Sequence, residues 1–215
     1  MDYIFMDLDG TITNPKEGIT KSFQFALHHF GIEITDLDSL CKHIGPPLMD
    51  SFMETYGFDE EKARLAAAKY RERFTVEGWQ ENEVYDGMEQ ALQRLKEAGK
   101  ILIVATSKPE HLAVKILTHF GLDGYFDDIC GADSDSSRSK KDEVIRYALK
   151  KHEITDLSDV IMVGDRKYDV TGAKKCGLVS MGVLYGFGSR EELLAAGADH
   201  IAETVEEMAQ LLVSL

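Results

Sequence analysis

The sequence predicts an α/β protein with a parallel central sheet and a helical insertion after its first strand. Short apolar runs recur along the chain, and stretches whose apolar residues follow helical spacing lie between most of them. Strands and helices that alternate in this way form parallel sheets through βαβ connections. A long helical stretch without a strand-like run follows the first apolar run, and this pattern predicts the insertion.

Five apolar runs are predicted as strands of the sheet. They cover residues 3–6, 101–105, 127–130, 160–163 and 179–184, with 127–130 as the weakest of the five. One helical stripe between them ends at Gly99 and another at Gly121, as is typical where a glycine terminates a helix. Ser189 and Glu192 have the spacing of a capping box, which predicts a further helix in the C-terminal part.

The insertion after the first strand is predicted to be entirely helical. Its apolar residues follow helical spacing in two stretches: Ile19, Phe23, Ala26, Leu27 and Phe30, then Ala63, Ala66, Ala67, Tyr70 and Phe74. Asn14-Pro15 and residues 81–83 are the predicted joints of this insertion. We therefore expect one domain made of residues 1–14 and 84–215, and a second domain made of residues 15–83.

Composition narrows the class of protein. The chain has 215 residues, 44% of them hydrophobic, and a formal net charge of −14, so we expect a substantial core and no nucleic acid polymer as partner. Its three cysteines form no CxxC pair, which argues against a disulfide framework or a structural zinc site. The sequence shows no leader-like start and no membrane-spanning apolar run, so we expect a cytoplasmic protein without membrane contact.

Two aspartates follow the first predicted strand, in the stretch FMDLDGTIT. Residues two apart in a strand point the same way, so Asp7 and Asp9 can face one site where the chain turns at Gly10. Two like charges about 4 Å apart cost roughly 4 kcal/mol at an effective dielectric constant near 20. The pair therefore needs a cation, a shared proton or the rotation of one side chain, and Mg²⁺ would satisfy it.

Further polar residues follow the other predicted strands, where open parallel sheets bind their ligands. They are Thr106 and Ser107 after residues 101–105, Lys141 before a predicted helix, and Asp165 and Asp169 in the stretch VGDRKYD. The spacing of four places the last two carboxylates on one side of a helical turn. We expect all of these side chains at the same edge of the sheet as the two aspartates of FMDLDGTIT.

The order of these motifs resembles that of a known enzyme family. DLDGT, ATSKP, a lysine before a helix and GDRKYD are similar to the four motifs of the haloacid dehalogenase superfamily, and the match spans essentially the whole chain. IGPPL and YGFGSREELLAAGAD resemble its phosphoglycolate phosphatase and 5'-nucleotidase branches. The resemblance implies a Rossmann-like parallel sheet core and a helical cap of the C1 type, made by residues 15–83.

The resemblance also implies catalytic roles. By this resemblance Asp7 would be the nucleophile, and the role suits a carboxylate, which is ionised at neutral pH and attacks phosphorus without a base. Asp9 would protonate the leaving oxygen and then activate water, so that an aspartyl-phosphate forms and is hydrolysed. Lys141, preferred to Lys140 because it directly precedes the helix, would offset the negative charge at the nucleophile and the phosphoryl group.

Phosphate and metal binding follow from the same resemblance. Thr106 and Ser107 would bind phosphate oxygens at a helix N-terminus, although Ser107 and Glu110 also have the spacing of a capping box. Mg²⁺ would be held by Asp7, the backbone carbonyl of Asp9, Asp165 and, in an outer position, Asp169.

The implied function is that of a Mg²⁺-dependent hydrolase of a small phosphorylated metabolite, with the cap selecting the substrate. The second aspartate of DLDGT favours phosphoryl chemistry, since dehalogenases of the superfamily lack it. A phosphomutase related to β-phosphoglucomutase would use the same four motifs, and a non-catalytic regulator that binds Mg²⁺ and phosphate is a second alternative. The identity of the metabolite and the choice between monomer and homodimer stay open at this point.

Overall fold

The structure, a computed structural model, describes residues 1–133 and 138–215. It divides into two compact units, which we call the sheet unit (Met1–Asn14 and Val84–Leu215) and the helical unit (Pro15–Glu83). The strands are β1 (Tyr3–Met6), β2 (Thr13–Asn14), β3 (Glu83–Val84), β4 (Ile101–Pro109), β5 (Asp128–Ala132), β6 (Val160–Gly164), β7 (Val179–Val183) and β8 (His200–Ala202).

Helices make up most of the remaining chain. The α-helices are α1 (Lys16–His29), α2 (Leu48–Tyr56), α3 (Glu60–Arg73), α4 (Met88–Glu97), α5 (Glu110–His119), α6 (Lys141–Lys151), α7 (Lys167–Cys176), α8 (Arg190–Ala195) and α9 (Val205–Ser214). Shorter 3₁₀ turns cover Leu37–His43, Asp123–Tyr125 and Leu157–Asp159, and a π-helical turn, Phe74–Gly78, follows α3. In the described part of the chain, no helix is long and apolar enough to cross a membrane.

The sheet unit is built on a six-stranded sheet with the order β5-β4-β1-β6-β7-β8. All of its adjacent strands pair in parallel, and β1 lies between β4 and β6, so that Phe5 pairs with Ile103 on one side and with Met162 on the other. These three side chains are fully buried, as expected where helices cover both faces of a parallel sheet. The parallel order brings the ends of β1, β4 and β6 to the middle of one sheet edge.

The helical unit is held together by an aromatic core. The ring of Phe23, on α1, packs 4.6 Å from His43, 5.0 Å from Phe52 and 5.1 Å from Tyr70, measured between ring centroids. His43 Nε2 lies 3.0 Å from Tyr56 Oη, and burial lowers the pKa of His43 to about 4. The apolar stripes of 15–83 thus converge on one interior.

The predicted α/β class with a Rossmann-like parallel sheet is confirmed. The strand β8 was not predicted, since its three residues offer too little periodicity. The proposed capping box of Ser107 and Glu110 is wrong: β4 continues to Pro109, and α5 begins at Glu110 without a side-chain cap. Pairing of Pro109 with Ala132 on β5 keeps this segment in the sheet.

Candidate active site

Lys141 connects the ends of three strands. Its Nζ atom lies 2.8 Å from Asp7 Oδ1, directly after β1, and 2.8 Å from Asp169 Oδ1, on the helix that follows β6. It also donates a hydrogen bond of 3.0 Å to the carbonyl oxygen of Ala105 on β4. Lys141, the lysine of the third motif, therefore contacts residues of the other three motifs and joins all four in a single buried cluster.

The environment of Lys141 keeps its side chain charged. Burial by itself would lower the pKa of this lysine, but the neighbouring carboxylates of Asp169 and Asp7 raise the pKa above its ordinary value. Its neighbour Lys140 is exposed and occupies the N-cap position of α6. Of the two lysines considered for the third motif, the structure therefore brings Lys141 to the nucleophile candidate.

Asp7 sits where β1 leaves the sheet. Its backbone N–H still donates to the carbonyl oxygen of Val163 on β6 at 2.9 Å, so the main chain is fixed by the sheet at this point. The N–H of Leu8 donates to Asp7 Oδ1 at 2.8 Å, the oxygen that also contacts Lys141. The side chain is 9% exposed. Its carboxylate is thus held in place by the backbone and by one cation.

Asp165 is completely buried next to this pair. Its Oδ2 atom accepts a hydrogen bond of 2.8 Å from the N–H of Phe187, whereas Oδ1 has no hydrogen-bond partner among the described residues. Burial, reinforced by the charges of Asp169 and Asp7, raises the pKa of Asp165 well above its ordinary value. A buried carboxylate with an unsatisfied oxygen calls for a cation.

Asp169 contacts Lys141 in the cluster and also accepts a hydrogen bond from the backbone at the start of its own helix, α7. Its Oδ2 atom accepts from the N–H of Arg166 at 3.1 Å, which satisfies a backbone donor at the start of α7. Burial raises the pKa of Asp169 to about 6, with Asp7 adding to the rise and Lys141 opposing it. Oδ1 has no hydrogen-bond partner of good geometry among the described residues, but the Lys141 ammonium lies 2.8 Å from it. Because a cation already occupies this side of the carboxylate, the arrangement suits an outer position around a metal better than direct ligation.

The close packing of these groups depends on glycine. Gly10 has a φ of +82°, and a Cβ atom there would lie 2.2 Å from Asp165 Oδ2. Similarly, a Cβ at Gly164 would lie 2.1 Å from Asp169 Cγ. The glycines of DLDGT and VGDRKYD therefore allow the two carboxylates to lie directly against the backbone.

Asp9 has a partner that the sequence analysis missed. Its Oδ2 atom lies 2.5 Å from Lys108 Nζ, and this lysine is 9% exposed. Lys108 belongs to the motif ATSKP. Nothing in the sequence around it distinguishes a buried lysine that pairs with a carboxylate from a lysine on a solvated loop. A possible signal was its place directly after the two residues expected to bind phosphate.

Thr106 and Ser107 lie in β4 rather than at the N-terminus of a helix, which begins at Glu110. Thr106 is buried, and its Oγ1 atom accepts a hydrogen bond of 3.2 Å from the N–H of Lys108. It directly follows Ala105, the residue whose carbonyl oxygen contacts Lys141. Ser107 is half-buried. The structure thus places Thr106 beside the cluster, while α5 starts two residues later than a cap at Ser107 would place it.

The donor set of the cluster suits a hard divalent cation. One carboxylate oxygen from each of Asp7, Asp165 and Asp169 lies within 4.8 Å of the others. Oxygen ligands of this kind are those that Mg²⁺ prefers in proteins. When ionised, these three groups and Asp9 carry four negative charges against the two positive charges of Lys108 and Lys141, an excess that one Mg²⁺ ion would balance.

A second group of potential ligands is already satisfied without a metal. Asp128, Cys130 and His152 also have ligand atoms within 4.8 Å of one another. However, Asp128 Oδ2 lies 2.7 Å from Lys151 Nζ and 2.7 Å from His152 Nε2, so its charge is balanced by these neighbours. Burial raises the pKa of the Cys130 thiol to about 12, which disfavours the thiolate that a metal would need.

Comparison with known proteins agrees with the motif pattern. The family described as haloacid dehalogenase-like hydrolase matches residues 4–183. The chain is 46% identical over 211 residues to a 5'-nucleotidase from Pseudomonas aeruginosa, covering 98% of this chain and 95% of that protein. It is 35% identical over 212 residues to the tyrosine-protein kinase PtkA from Mycobacterium tuberculosis, covering 97% of this chain and 72% of that protein.

A solved structure extends this likeness to three dimensions. The crystal structure of a predicted phosphatase from Clostridium acetobutylicum has a TM-score of 0.97 and 50% sequence identity, covering 100% of this chain and 99% of that one. The resemblance inferred from the four motifs is therefore confirmed. With its motifs gathered at one sheet edge and these relatives along its whole length, the chain belongs to the haloacid dehalogenase-like hydrolases and is a phosphatase of that family.

Proposed function

We propose that this phosphatase is a Mg²⁺-dependent hydrolase of small phosphomonoesters that passes the phosphoryl group through Asp7. The observation that carries the proposal is the buried cluster in which Lys141 contacts Asp7 and Asp169 while Asp165 keeps one oxygen without a hydrogen-bond partner among the described residues. A structural role alone does not favour such a cluster, because buried carboxylates beyond the available cations destabilise a fold. A bound Mg²⁺ ion, whose two positive charges would balance this excess, accounts for it.

Asp7 is proposed to attack the phosphorus atom. A bond forms between an Asp7 carboxylate oxygen and phosphorus while the bond from phosphorus to the leaving oxygen breaks, which gives an aspartyl-phosphate. Lys141, fixed 2.8 Å from Asp7 Oδ1, stabilises the negative charge that develops on the transferred group. The backbone bond from Asp7 to Val163 keeps the nucleophile in place during this step.

Asp9 is proposed as the general acid and base. It gives a proton to the leaving oxygen, and as a carboxylate it then takes a proton from the water that attacks the aspartyl-phosphate. Inorganic phosphate leaves and Asp7 is regenerated. The Lys108 ammonium, 2.5 Å from Asp9 Oδ2, holds this side chain in position and keeps a proton donor beside it.

Mg²⁺ would be held by Asp7, the carbonyl oxygen of Asp9 and Asp165, with Asp169 in an outer position. When bound, the ion supplies electrostatic stabilisation of the phosphoryl oxygens. Asp165 Oδ1 is the ligand atom with the clearest claim, since it is buried and has no hydrogen-bond partner in residues 1–133 and 138–215. Thr106 and Ser107 complete the proposal as phosphate-binding residues.

The substrate is proposed to be a nucleoside 5'-monophosphate or a small metabolite such as phosphoglycolate. The 46% identity to a 5'-nucleotidase supports the first of these. The assignment of residues 1–14 and 84–215 as catalytic core and of residues 15–83 as cap belongs to the same proposal.

Phosphate release tests the proposal directly. Wild type, Asp7→Asn and the exposed control Asp50→Asn are assayed with 4-nitrophenyl phosphate, nucleoside 5'-monophosphates, phosphoglycolate and a hexose phosphate, with Mg²⁺ and with chelator. We expect Mg²⁺-dependent release by wild type and Asp50→Asn, and a loss of about 10³-fold or more in Asp7→Asn. Release that is unaffected by chelator or by Asp7→Asn would refute the proposal.

The two earlier alternatives give different outcomes in the same assay. A phosphomutase converts a hexose phosphate into its isomer without net phosphate release. A non-catalytic regulator binds Mg²⁺ but turns over none of the substrates. Because one relative is named a tyrosine kinase, incubation with ATP and a tyrosine-containing peptide is a useful additional arm; transfer to tyrosine would replace the hydrolase proposal.

A further inference from the structure

The segment after β7 packs against Asp165, although its sequence, GFGSRE, has no part in the chemistry described so far. We propose that residues 186–188, together with Glu192, position the Asp165 carboxylate for metal binding. This inference rests on the proposed Mg²⁺ site and adds a group of positioning residues to it. Because β7 is the neighbour of β6 in the sheet, the segments that follow these two strands leave the sheet side by side.

The first contact is made by the backbone of Phe187. Its N–H donates a hydrogen bond of 2.8 Å to Asp165 Oδ2, and the other oxygen, Oδ1, has no hydrogen-bond partner among the described residues. Fixing one oxygen with a backbone donor prevents free rotation of the carboxylate. Outer partners of this kind orient metal-binding carboxylates, and their loss typically weakens metal binding by about 10- to 100-fold.

Two glycines make this contact sterically possible. A Cβ atom at Gly186 would lie 2.3 Å from Asp165 Cβ and 2.3 Å from the carbonyl oxygen of Gly10. A Cβ atom at Gly188 would lie 2.0 Å from the backbone carbonyl oxygen of Asp165. These distances are far below van der Waals contact, so a side chain at either position would push the segment away from Asp165. The glycines are needed here for close approach of two backbones.

Glu192, on α8, binds the two residues that directly follow Asp165. Its Oε1 atom accepts a hydrogen bond of 2.9 Å from the N–H of Lys167 and another of 2.9 Å from Arg166 Nε. The hydroxyl of Ser189 accepts from the N–H of Glu192 at 3.1 Å and so fixes the start of this helix. The residues just after Asp165 are therefore anchored to the start of α8, which directly follows the segment whose backbone binds the Asp165 side chain.

A pair of substitutions at Phe187 separates its backbone from its side chain. Phe187→Pro removes the N–H donor, whereas Phe187→Ala removes the ring and retains the donor. We expect Phe187→Pro to weaken Mg²⁺ binding by about 10-fold or more, and Phe187→Ala to weaken it clearly less. Calorimetric titration with Mg²⁺ measures the dissociation constants, and circular dichroism checks that each variant is folded.

The glycine prediction has a matched control. Gly186→Ala is expected to weaken Mg²⁺ binding by about 10-fold or more. Gly124→Ala, at a glycine with open space around its position, is expected to bind Mg²⁺ like wild type. Equal Mg²⁺ affinity in folded Gly186→Ala, Phe187→Pro and wild-type protein would overturn the inference.

Wild-type protein provides a test that does not depend on the folding of any variant. If Asp165 binds the ion while Phe187 donates to it, the amide resonance of Phe187 shifts during an NMR titration with Mg²⁺ and that of Gly124 does not. An unshifted Phe187 amide in protein that binds Mg²⁺ overturns the inference and leaves the proposed function standing. Wild-type protein that binds no Mg²⁺ refutes the proposed function itself.

Discussion

The two units of the molecule have interiors of opposite character. Every buried Asp, Lys and Arg of the described chain lies in the sheet unit, and four of them, Asp7, Lys141, Asp165 and Asp169, form one cluster. The helical unit instead buries the rings around Phe23 and holds a neutral histidine among them. Aromatic burial stabilises a fold, whereas unbalanced buried charge destabilises it. The contrast indicates that the sheet unit sacrifices stability for chemistry.

The largest effect is expected from removing the lysine that balances the buried carboxylate charges of the sheet unit. Lys141→Met leaves Asp7 and Asp169 without their shared partner, and we expect it to destabilise the protein by about 3–5 kcal/mol without Mg²⁺. It should also lower kcat/KM by about 10²- to 10³-fold. Urea unfolding and phosphate release measure the two effects. Lys140→Met, at the exposed neighbour, is the control, and equal effects of the two substitutions would contradict the account.

A core substitution in the helical unit should destabilise the protein as much as Lys141→Met does, but it should leave Mg²⁺ binding unchanged. Phe52 is fully buried and packs 5.0 Å from Phe23, so Phe52→Ala is expected to cost about 3–5 kcal/mol of unfolding free energy. Phe25→Ala, at a side chain that is 45% exposed, should cost less than about 1 kcal/mol. Mg²⁺ affinity, measured by calorimetry, should equal that of wild type in both variants.

The helical unit should lose stability in acid because of His43. Burial lowers the pKa of His43 to about 4, so the unfolded state binds more protons between that value and about 6.5. Stability is therefore retained above pH 6.5 and falls by about 2 kcal/mol between pH 7 and pH 5. His43→Phe should remove this dependence in urea unfolding at saturating Mg²⁺. The exposed control His28→Gln should preserve it; an unchanged slope in His43→Phe would count against the assignment.

The sheet unit should show a pH effect of the opposite sign when Mg²⁺ is removed. Burial raises the pKa of Asp169 to about 6 and that of Asp165 well above its ordinary value, so the folded state binds more protons than the unfolded state. Stability in chelator should therefore fall as pH rises from about 4 to 7, by about 2 kcal/mol or more relative to protein with Mg²⁺. Thermal unfolding with and without the ion measures this difference, and a larger fall with Mg²⁺ would contradict the sign.

Much of this organisation follows from local patterns in the sequence. Parallel strands that are buried on both faces have continuous apolar sequences. The predicted bounds of β1 and β6 therefore agree with the observed bounds to within one residue. The rule that ligands bind at the carboxyl ends of parallel strands predicts Asp7, Lys141 and Asp165 at one edge of the sheet. Such residues are predictable because their placement depends on topology rather than on side-chain packing.

Other features depend on register and packing that no local pattern encodes. The pair of Lys108 with Asp9 requires β4 to lie beside β1, and the bond from Phe187 to Asp165 requires two loops to meet. The local spacing predicts Ser107 at a helix N-terminus, where it could bind phosphate or cap the helix, but strand pairing extends β4 through Pro109. Tertiary contacts decided each of these cases.

Trapping the covalent intermediate shows whether the phosphoryl group passes through Asp7. Wild-type protein is mixed with 4-nitrophenyl phosphate and Mg²⁺, quenched in acid within one turnover, and digested for mass spectrometry. We expect the added mass of one phosphoryl group on the peptide that contains Asp7, lost on mild base treatment and absent in Asp7→Asn. Turnover by wild type with no phosphorylated Asp7 peptide at any quench time, or with the label on another residue, would contradict it.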